Sequence, residues 1–376
     1  MRIIIGSGIS GLYIGYQLLE KGIKDFIILE KSNRIGGRVL TKDNLELGAS
    51  IFHSKQNNIM RLIYKLGLDK KLMELKGGKD TLYYLKNKGR LDSGYVNERL
   101  DKLNNKLKNK LYTNSKLSLQ ELAKKVLNND DYNFYKDMTK EWFEIKDQNA
   151  ITSFRNIENV GKLYKMKDGL SQIINKLSVI LKDKIKLNYE VKNISYDNDK
   201  FIINKKLNCD KLYLCTNMSG TKKIKFSGIQ MKKVLDMGLP VSSIRVYLQF
   251  KDALIKNNIV SNYLFKWCIY ISERIAMVSY VDGSSATRLN NLGEKEAIKL
   301  ILYEISESLR EEINLTNVEK KYFAYWKEAF NIVKSHITES EYYKTLNSLP
   351  KNFYQTVIPL EYGLNQAWME AHLLKI

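Results

Sequence analysis

Two short, fully apolar runs open the chain, Ile3–Ile5 and Phe26–Leu29. Runs this short and apolar at every position predict strands buried on both faces. Between them the apolar residues recur at helical spacing, and Gly22 ends that segment. A turn is expected at Lys42 to Asn44, and residues 55–75 read as an amphipathic helix through Ile59, Leu62, Ile63 and Leu66. From about Asp80 to Asn149 the pattern is polar and mostly helical, and it carries Tyr132, Phe134, Tyr135, Trp142 and Phe143. A helix to Leu181 precedes the stretch Ile185–Val191, and strands over 194–196 and 201–204 predict a hairpin about Asp197–Asp199. From about Ile224 the period changes to alternating strands: Ser243–Phe250 is the clearest, and Ile269–Val281 holds another pair. Helical spacing returns over Lys295–Leu309. The class is α/β, or α+β in two domains. With no tandem repeat or low-complexity linker, the domains are expected to be interleaved. One takes 1–75, 160–222 and 350–376, the other 76–159 and 223–349.

The chemistry sits where the first run ends. Gly6-Ser7-Gly8-Ile9-Ser10-Gly11 follows Ile5 at once, and Glu30 closes the second run nineteen residues beyond Gly11. Strand, glycine turn, helix, strand and acid make the unit that binds a dinucleotide. Gly6 permits the tight turn, Gly8 lets the backbone approach a pyrophosphate, and Gly11 lets the helix pack against the sheet. The helix N-terminus offers unpaired N–H groups and a partial positive charge, and a carboxylate at Glu30 can accept bonds from ribose hydroxyls. A second Gly36-Gly37-Arg38 follows closely, which suits a longer cofactor than a plain nicotinamide dinucleotide. In Glu46–His53 the small residues Gly48, Ala49 and Ser50 would let a flat ring lie on the backbone.

These residues resemble the flavin-containing amine oxidases, the family of monoamine, polyamine and L-amino-acid oxidases. The family pattern GxGxxGL, acid, RxGGR and GA-x-x-x-H is matched by Gly6/Gly8/Gly11/Leu12, Glu30, Arg34/Gly36/Gly37/Arg38 and Gly48/Ala49/His53. Ile51 stands where the family has Trp. Tyr164–Leu170 is similar to the family's Y-x-x-x-G-G segment with Asp168 for its first Gly, and Cys209–Asn217 to its A-D-x-V-x-x-A-T-P strand with Asn217 for Pro. Glu361-Tyr362 and Trp368–Ala371 resemble, more loosely, its C-terminal GE and aromatic helix. The resemblance implies a Rossmann-like FAD-binding domain interleaved with a substrate domain of mixed sheet plus helices. It also implies non-covalent FAD, since no Cys lies near the C-terminal aromatic motif. The implied cofactor contacts are Gly6, Gly8, Ser10, Gly11, Glu30, Lys31, Arg34, Gly37, Arg38, Gly48, Ala49, Ser50, Ile51, Val191, Thr216, Glu361, Trp368 and Met369. Val191 would serve adenine through its backbone. The implied reaction is hydride removal from the carbon beside an amine onto flavin N5, in an aromatic slot with Trp368 as one wall. Trp326 matches a second family Trp, and His53 sits at the mouth of the family's site.

Arg245 falls where many members of the family carry a Lys, and the exchange is not conservative, because a guanidinium stays protonated and planar. Three readings stay open: Arg245 lies on the surface through a shift of register, binds a substrate carboxylate, or marks lost amine oxidation. The single glycine turn argues against a nicotinamide partner, which leaves O2 or a soluble acceptor. The substrate is expected to be a small amine or amino acid. Other flavin enzymes, of the UDP-galactopyranose mutase or porphyrinogen and carotenoid oxidase types, remain alternatives, as does a retired flavin fold with a structural or polyanion-binding role.

Charge and composition add little to that choice. The chain is 44% hydrophobic with 62 Lys+Arg against 41 Asp+Glu, a formal charge of +21. The lysines are spread along the chain, so a solvated surface is favoured over a dedicated polyanion site, and any such contact is expected to be weak. Cys209, Cys215 and Cys268 form no CxxC, and three histidines make a metal site improbable. With a strand starting at residue 2 and no long apolar run, a cytoplasmic, reducing location without a signal peptide or membrane span is expected. The oligomeric state stays open.

Overall fold

The computed structural model describes residues 1–75, 80–111, 116–158 and 161–357. Two compact units form. One takes Met1–Leu75, Glu158–Pro240 and the stretch from Phe330; the other takes the stretch ending at Ile157 and Val241–Ala329. The later crossings were expected near 222 and 350. The first falls later because the strand Lys225–Ser227 and helix Met231–Met237 bury Met231, Val234 and Met237 in the first unit's core, and the second earlier because Tyr342 and Leu349 pack into the same core.

The first unit is built on a five-stranded sheet in the order Ile185–Lys186, Phe26–Leu29, Arg2–Ile5, Lys211–Leu214, Phe353–Gln355, every pair parallel. Ile4 faces one core with Leu12, Ile14 and Ile28, while Ile3 and Ile5 face another with Leu212, Leu214 and Phe201. That is why the run is apolar at every position. A parallel sheet is covered on both sides, and each buried Ile contributes roughly 1.5–3 kcal/mol. Helices Ile9–Glu20 and Ser171–Ile180 cover one face. The four-stranded sheet that pairs Asn193–Asp197 with Lys200–Ile203 covers the other. The tight turn of that hairpin places Asn198 and Asp199 at φ 48° and 58°, as the polar residues there predicted.

The helix expected over 55–75 is shorter, Asn57–Lys65. Gly67 ends it at φ +65°, and Leu72–Glu74 pairs as a strand with Leu163–Met166. The third strand of that small sheet is Phe52–His53. Ile185–Val191 does not run on as a strand beyond Lys186. Asn188 turns at φ 55°, and the Tyr189 N–H donates to the Glu30 carbonyl at 2.8 Å.

The second unit carries a seven-stranded sheet. Its order is Val318–Val333, Gly238–Phe250, Ile275–Asp282, Trp267–Ser272, Asn258–Ser261, Thr81–Leu85, Gly89–Leu91. The last two correct the helical reading of residues from Asp80. Thr81–Leu85 pairs parallel with Asn258–Ser261, a partner far along the chain that no local pattern announces. Val318–Val333 went unread because, as the edge strand, it keeps no clean alternation of buried and exposed positions. The helices Ser93–Lys108, Leu119–Val126, Asn129–Met138 and Trp142–Ile145 are as expected. They enclose an aromatic core of Phe134, Tyr135 and Trp142, with Tyr135 and Trp142 edge-to-face at 5.8 Å.

Candidate functional site

In the first unit the glycine turn is a backbone cradle. A Cβ on Gly6, where φ is +102°, would lie 2.5 Å from the Cys215 carbonyl oxygen. A Cβ on Gly11 would lie 2.0 Å from the Gly6 oxygen. Both positions are closed by packing. Gly8 differs, because a Cβ there meets nothing nearer than Gly37 Cα at 3.9 Å. The helix Ile9–Glu20 begins at Gly8 with no side-chain cap among the described residues and no acid in its first turn, so its first-turn N–H groups are open to an anion. The second glycine pair lies against this turn. Gly8 bridges Gly36, whose N–H donates to the Ser7 carbonyl at 2.9 Å.

Glu30 stands beside the cradle at the end of its strand. One carboxylate oxygen accepts from the Ser7 N–H and hydroxyl, both at 2.9 Å. The other accepts from the Ser32 N–H at 2.9 Å and the Ser32 hydroxyl at 2.7 Å. Burial opposes ionisation, yet these donors outweigh it, and the pKa falls below the usual carboxylate value. Glu30 is therefore an oriented, ionised acceptor. Ser7 and Ser32 were not singled out from the sequence, although both flank the motif; a hydroxyl two residues after the acid is the signal that could have found Ser32.

Arg34 is occupied locally. Its guanidinium donates to the carbonyls of Gly37 at 2.5 Å, Ile35 at 3.0 Å and Val39 at 3.3 Å, which staples the Gly-Gly loop. Lys31 is exposed and pairs with Glu190 at 3.3 Å. The Arg38 carbonyl accepts from Ala49 N–H at 3.0 Å, which ties the RxGGR and GA segments together. Gly48 and Ser10 are buried, Ala49 and Ser50 half-buried, and Ile51 is 45% exposed. Val191 packs with Leu29 and Ile194, and the Thr216 hydroxyl meets that of Thr221 at 2.6 Å.

Two of the departures from the family pattern, at Asp168 and Asn217, are absorbed locally. Asp168 takes φ +64°, a left-handed conformation that Asp tolerates. Asn217 caps the short helix Met218–Thr221 by accepting from Gly220 N–H at 2.8 Å. His53 donates its backbone N–H to the Gln56 side-chain oxygen at 3.0 Å, and its buried ring Nδ1 has no hydrogen-bond partner among the described residues. Burial first, and Lys55 second, lower its pKa, so the imidazole is neutral at pH 7. Glu361, Trp368 and Met369 lie outside the described residues.

Arg245 belongs to the second unit, on Gly238–Phe250 opposite Tyr280. It is half-buried, with its guanidinium 4.9 Å from the centre of the Tyr280 ring. Burial disfavours its charge, but Tyr280, Tyr247 and Asp282 outweigh that and hold it protonated. Asp282 and Glu144 were not singled out from the sequence; the Glu144 carboxylate accepts from the Tyr280 hydroxyl at 2.6 Å. Their one signal was an acid at a strand end and another inside the apolar run Trp142–Ile145. Trp326 is half-buried on Val318–Val333.

Residues 9–150 match the family model of the flavin containing amine oxidoreductases. The chain resembles that family. The match covers less than half of the 376 residues. Polyamine oxidase 6 of Oryza sativa subsp. japonica is 34% identical over 110 residues, 27% of this chain and 22% of that protein. The matched stretch thus spans about a fifth of the relative's length. Among solved structures, a triple mutant of a putrescine oxidase superposes with a TM-score of 0.77 at 14% identity, over 99% of this chain and 97% of that one. A protein of Exiguobacterium sp. 255-15, named provisionally as a protoporphyrinogen oxidase, does so with a TM-score of 0.75 at 15% identity over the same shares. At these identities the likeness establishes the fold alone, a mixture of helices and sheets shared with those structures.

Proposed function

We propose that this chain is an FAD-dependent oxidoreductase that oxidises the carbon beside an amine. The observation that carries the reading is the cradle: an uncapped helix N-terminus over Gly8, with an ionised, pre-oriented Glu30 beside it. Its donor set fits a dinucleotide. The first-turn N–H groups would hold the pyrophosphate, Glu30 would accept from the ribose hydroxyls, and the Val191 backbone would meet the adenine. Gly48, Ala49 and Ser50 are small enough to underlie a flat ring. Bound there, FAD would supply the acceptor for a hydride from the C–H beside nitrogen, and O2 would be the oxidant that completes turnover. Water then hydrolyses the imine. Neutral His53 can accept or donate a hydrogen bond without adding charge that would repel an ammonium.

The surroundings of Arg245 favour an amine without a carboxylate. A guanidinium that binds a substrate carboxylate needs its charge free. Here it stacks on Tyr280 and is answered by buried Asp282. The polyamine and putrescine oxidases among the similar proteins point the same way by name. A second reading, a flavin fold that binds FAD without oxidising amines, is favoured by the same Arg245, because a guanidinium cannot release a proton as a buried Lys can.

The deciding experiment screens FAD-loaded protein for peroxide with mono-, di- and polyamines and with amino acids, and runs Arg245→Lys beside the wild type. Peroxide from plain amines supports the oxidase, and activity confined to amino acids overturns the substrate class. Yellow protein that is silent until Arg245→Lys is introduced supports the second reading. Protein that takes up no FAD overturns both.

A further inference from the structure

The carboxylate of Glu30 is saturated by its own chain. An ionised carboxylate offers about four lone-pair positions, and four donors fill them. Oε2 takes the Ser7 N–H and hydroxyl, both at 2.9 Å. Oε1 takes the Ser32 N–H at 2.9 Å and the Ser32 hydroxyl at 2.7 Å. A ribose hydroxyl that donates to Glu30 must therefore displace one of these donors, and they are not equally easy to move. The backbone at Ser7 is pinned, since its carbonyl accepts from the Gly36 N–H at 2.9 Å, and so is that at Ser32, whose carbonyl accepts from the Asn188 N–H at 3.0 Å. The Ser7 hydroxyl is fully buried, and Glu30 is its one acceptor among the described residues. The Ser32 hydroxyl differs. Its oxygen lies 2.7 Å from Glu30 Oε1 and also 2.7 Å from the Arg34 carbonyl oxygen. A hydroxyl carries one hydrogen, so it serves one of these acceptors at a time. Rotation about a single bond moves it from one to the other.

We infer, on the reading that FAD occupies the cradle, that Ser32 is a placeholder for the ribose. Its hydroxyl holds Glu30 Oε1 in the FAD-free protein and turns to the Arg34 carbonyl when a ribose hydroxyl arrives. The exchange is one donor for one donor, so the carboxylate stays ionised and oriented throughout. It leaves no buried group unpaired, because Ser32 and Arg34 are both exposed and the Arg34 carbonyl stands at the same distance as the oxygen given up. The two serines thus divide the work. Ser7 is the positioning residue, with both of its bonds to Oε2 present before and after binding. Ser32 keeps the carboxylate satisfied until the ligand replaces it, and binding at Oε1 exchanges a hydrogen bond where it would otherwise add one. Removal of the Ser32 hydroxyl therefore changes the FAD-free protein more than the complex, and removal of the Ser7 hydroxyl changes both.

Flavin titration and magnetic resonance of the full chain, with carbon-13 labelled Glu and Arg, test it. Ser32→Ala should bind FAD within about threefold of wild type, because the bond of a neutral hydroxyl is exchanged and not lost. Ser7→Ala strips a donor that the ribose does not replace, and should bind FAD about tenfold or more weakly. The Glu30 carboxyl gives a readout that a merely structural serine would not produce. In the FAD-free protein its pKa should be higher in Ser32→Ala than in wild type, since a donor to the charged form is gone. With FAD bound the two should coincide. The Arg34 carbonyl carbon should shift downfield on FAD binding in wild type, as it gains a hydrogen bond, and not in Ser32→Ala. Equal FAD affinity in the two serine variants, a Glu30 difference that persists in the complex, or an Arg34 carbonyl that does not respond would each overturn the inference and leave the proposed function standing. Wild type that takes up no FAD would overturn the proposed function and the inference with it.

Discussion

At the scale of single residues, the glycines of the turn do different work, and substitution separates them. Gly11→Ala would force a Cβ to within 2.0 Å of the Gly6 oxygen. It should cost about 1–3 kcal/mol or more of stability and abolish FAD uptake. Gly8→Ala meets no atom nearer than 3.9 Å and keeps an ordinary φ of −67°. It should cost under about 1 kcal/mol yet sharply weaken FAD, because the new methyl would occupy the proposed approach of the pyrophosphate. Denaturant unfolding beside flavin titration shows whether the two effects part. Glu30→Gln keeps the shape and removes the charge. FAD affinity should fall by about 10- to 100-fold, the worth of a charged hydrogen bond of roughly 1.5–3 kcal/mol. Its lowered pKa also has a sign. The stability it contributes is present above about pH 4.3 and is lost as pH falls through the lower folded value. Unfolding measured against pH should therefore show a shallower acid limb in Glu30→Gln than in wild type.

At the scale of elements, Arg2–Ile5 shows why its pattern was readable and other patterns were not. Ile3 and Ile4 point to opposite faces, and both are fully buried. Ile3→Ala and Ile4→Ala should each cost about 2–5 kcal/mol in denaturant unfolding. A strand covered on one face only would show that cost at one of the two. The tight turns at Asp43-Asn44 and Asn198-Asp199 were equally legible, since positive φ at both central residues selects such side chains. Thr81–Leu85 was not, because its strand character comes from pairing with Asn258–Ser261. Gly67, at φ +65°, cuts short the helix begun at Asn57.

At the scale of the whole molecule, the chain leaves and re-enters each unit. The central parallel sheet draws strands from Arg2–Ile5, Phe26–Leu29, Lys211–Leu214 and Phe353–Gln355. A fragment of residues 1–157 contains the whole stretch matched to the family model but lacks the three strands Ile185–Lys186, Lys211–Leu214 and Phe353–Gln355. Without Lys211–Leu214 one edge of Arg2–Ile5 is unpaired and half of the Ile3 and Ile5 core is missing. The fragment should neither unfold cooperatively nor bind FAD, as circular dichroism and flavin titration can check.

The amino-acid sequence determined the cradle of this protein, because a dinucleotide turn is local. Gly6, Gly8, Gly11 and Glu30 act through backbone geometry and short-range spacing, and a few tens of residues specify all of it. Only the tertiary structure decided the setting of Arg245. Tyr280, Asp282 and Glu144 reach it from another strand and from a helix far off in sequence, brought together by sheet pairing and burial. Low exposure is what sets these two acids and a tyrosine apart from others on the chain, and burial is a property of the folded chain that no spacing along it records.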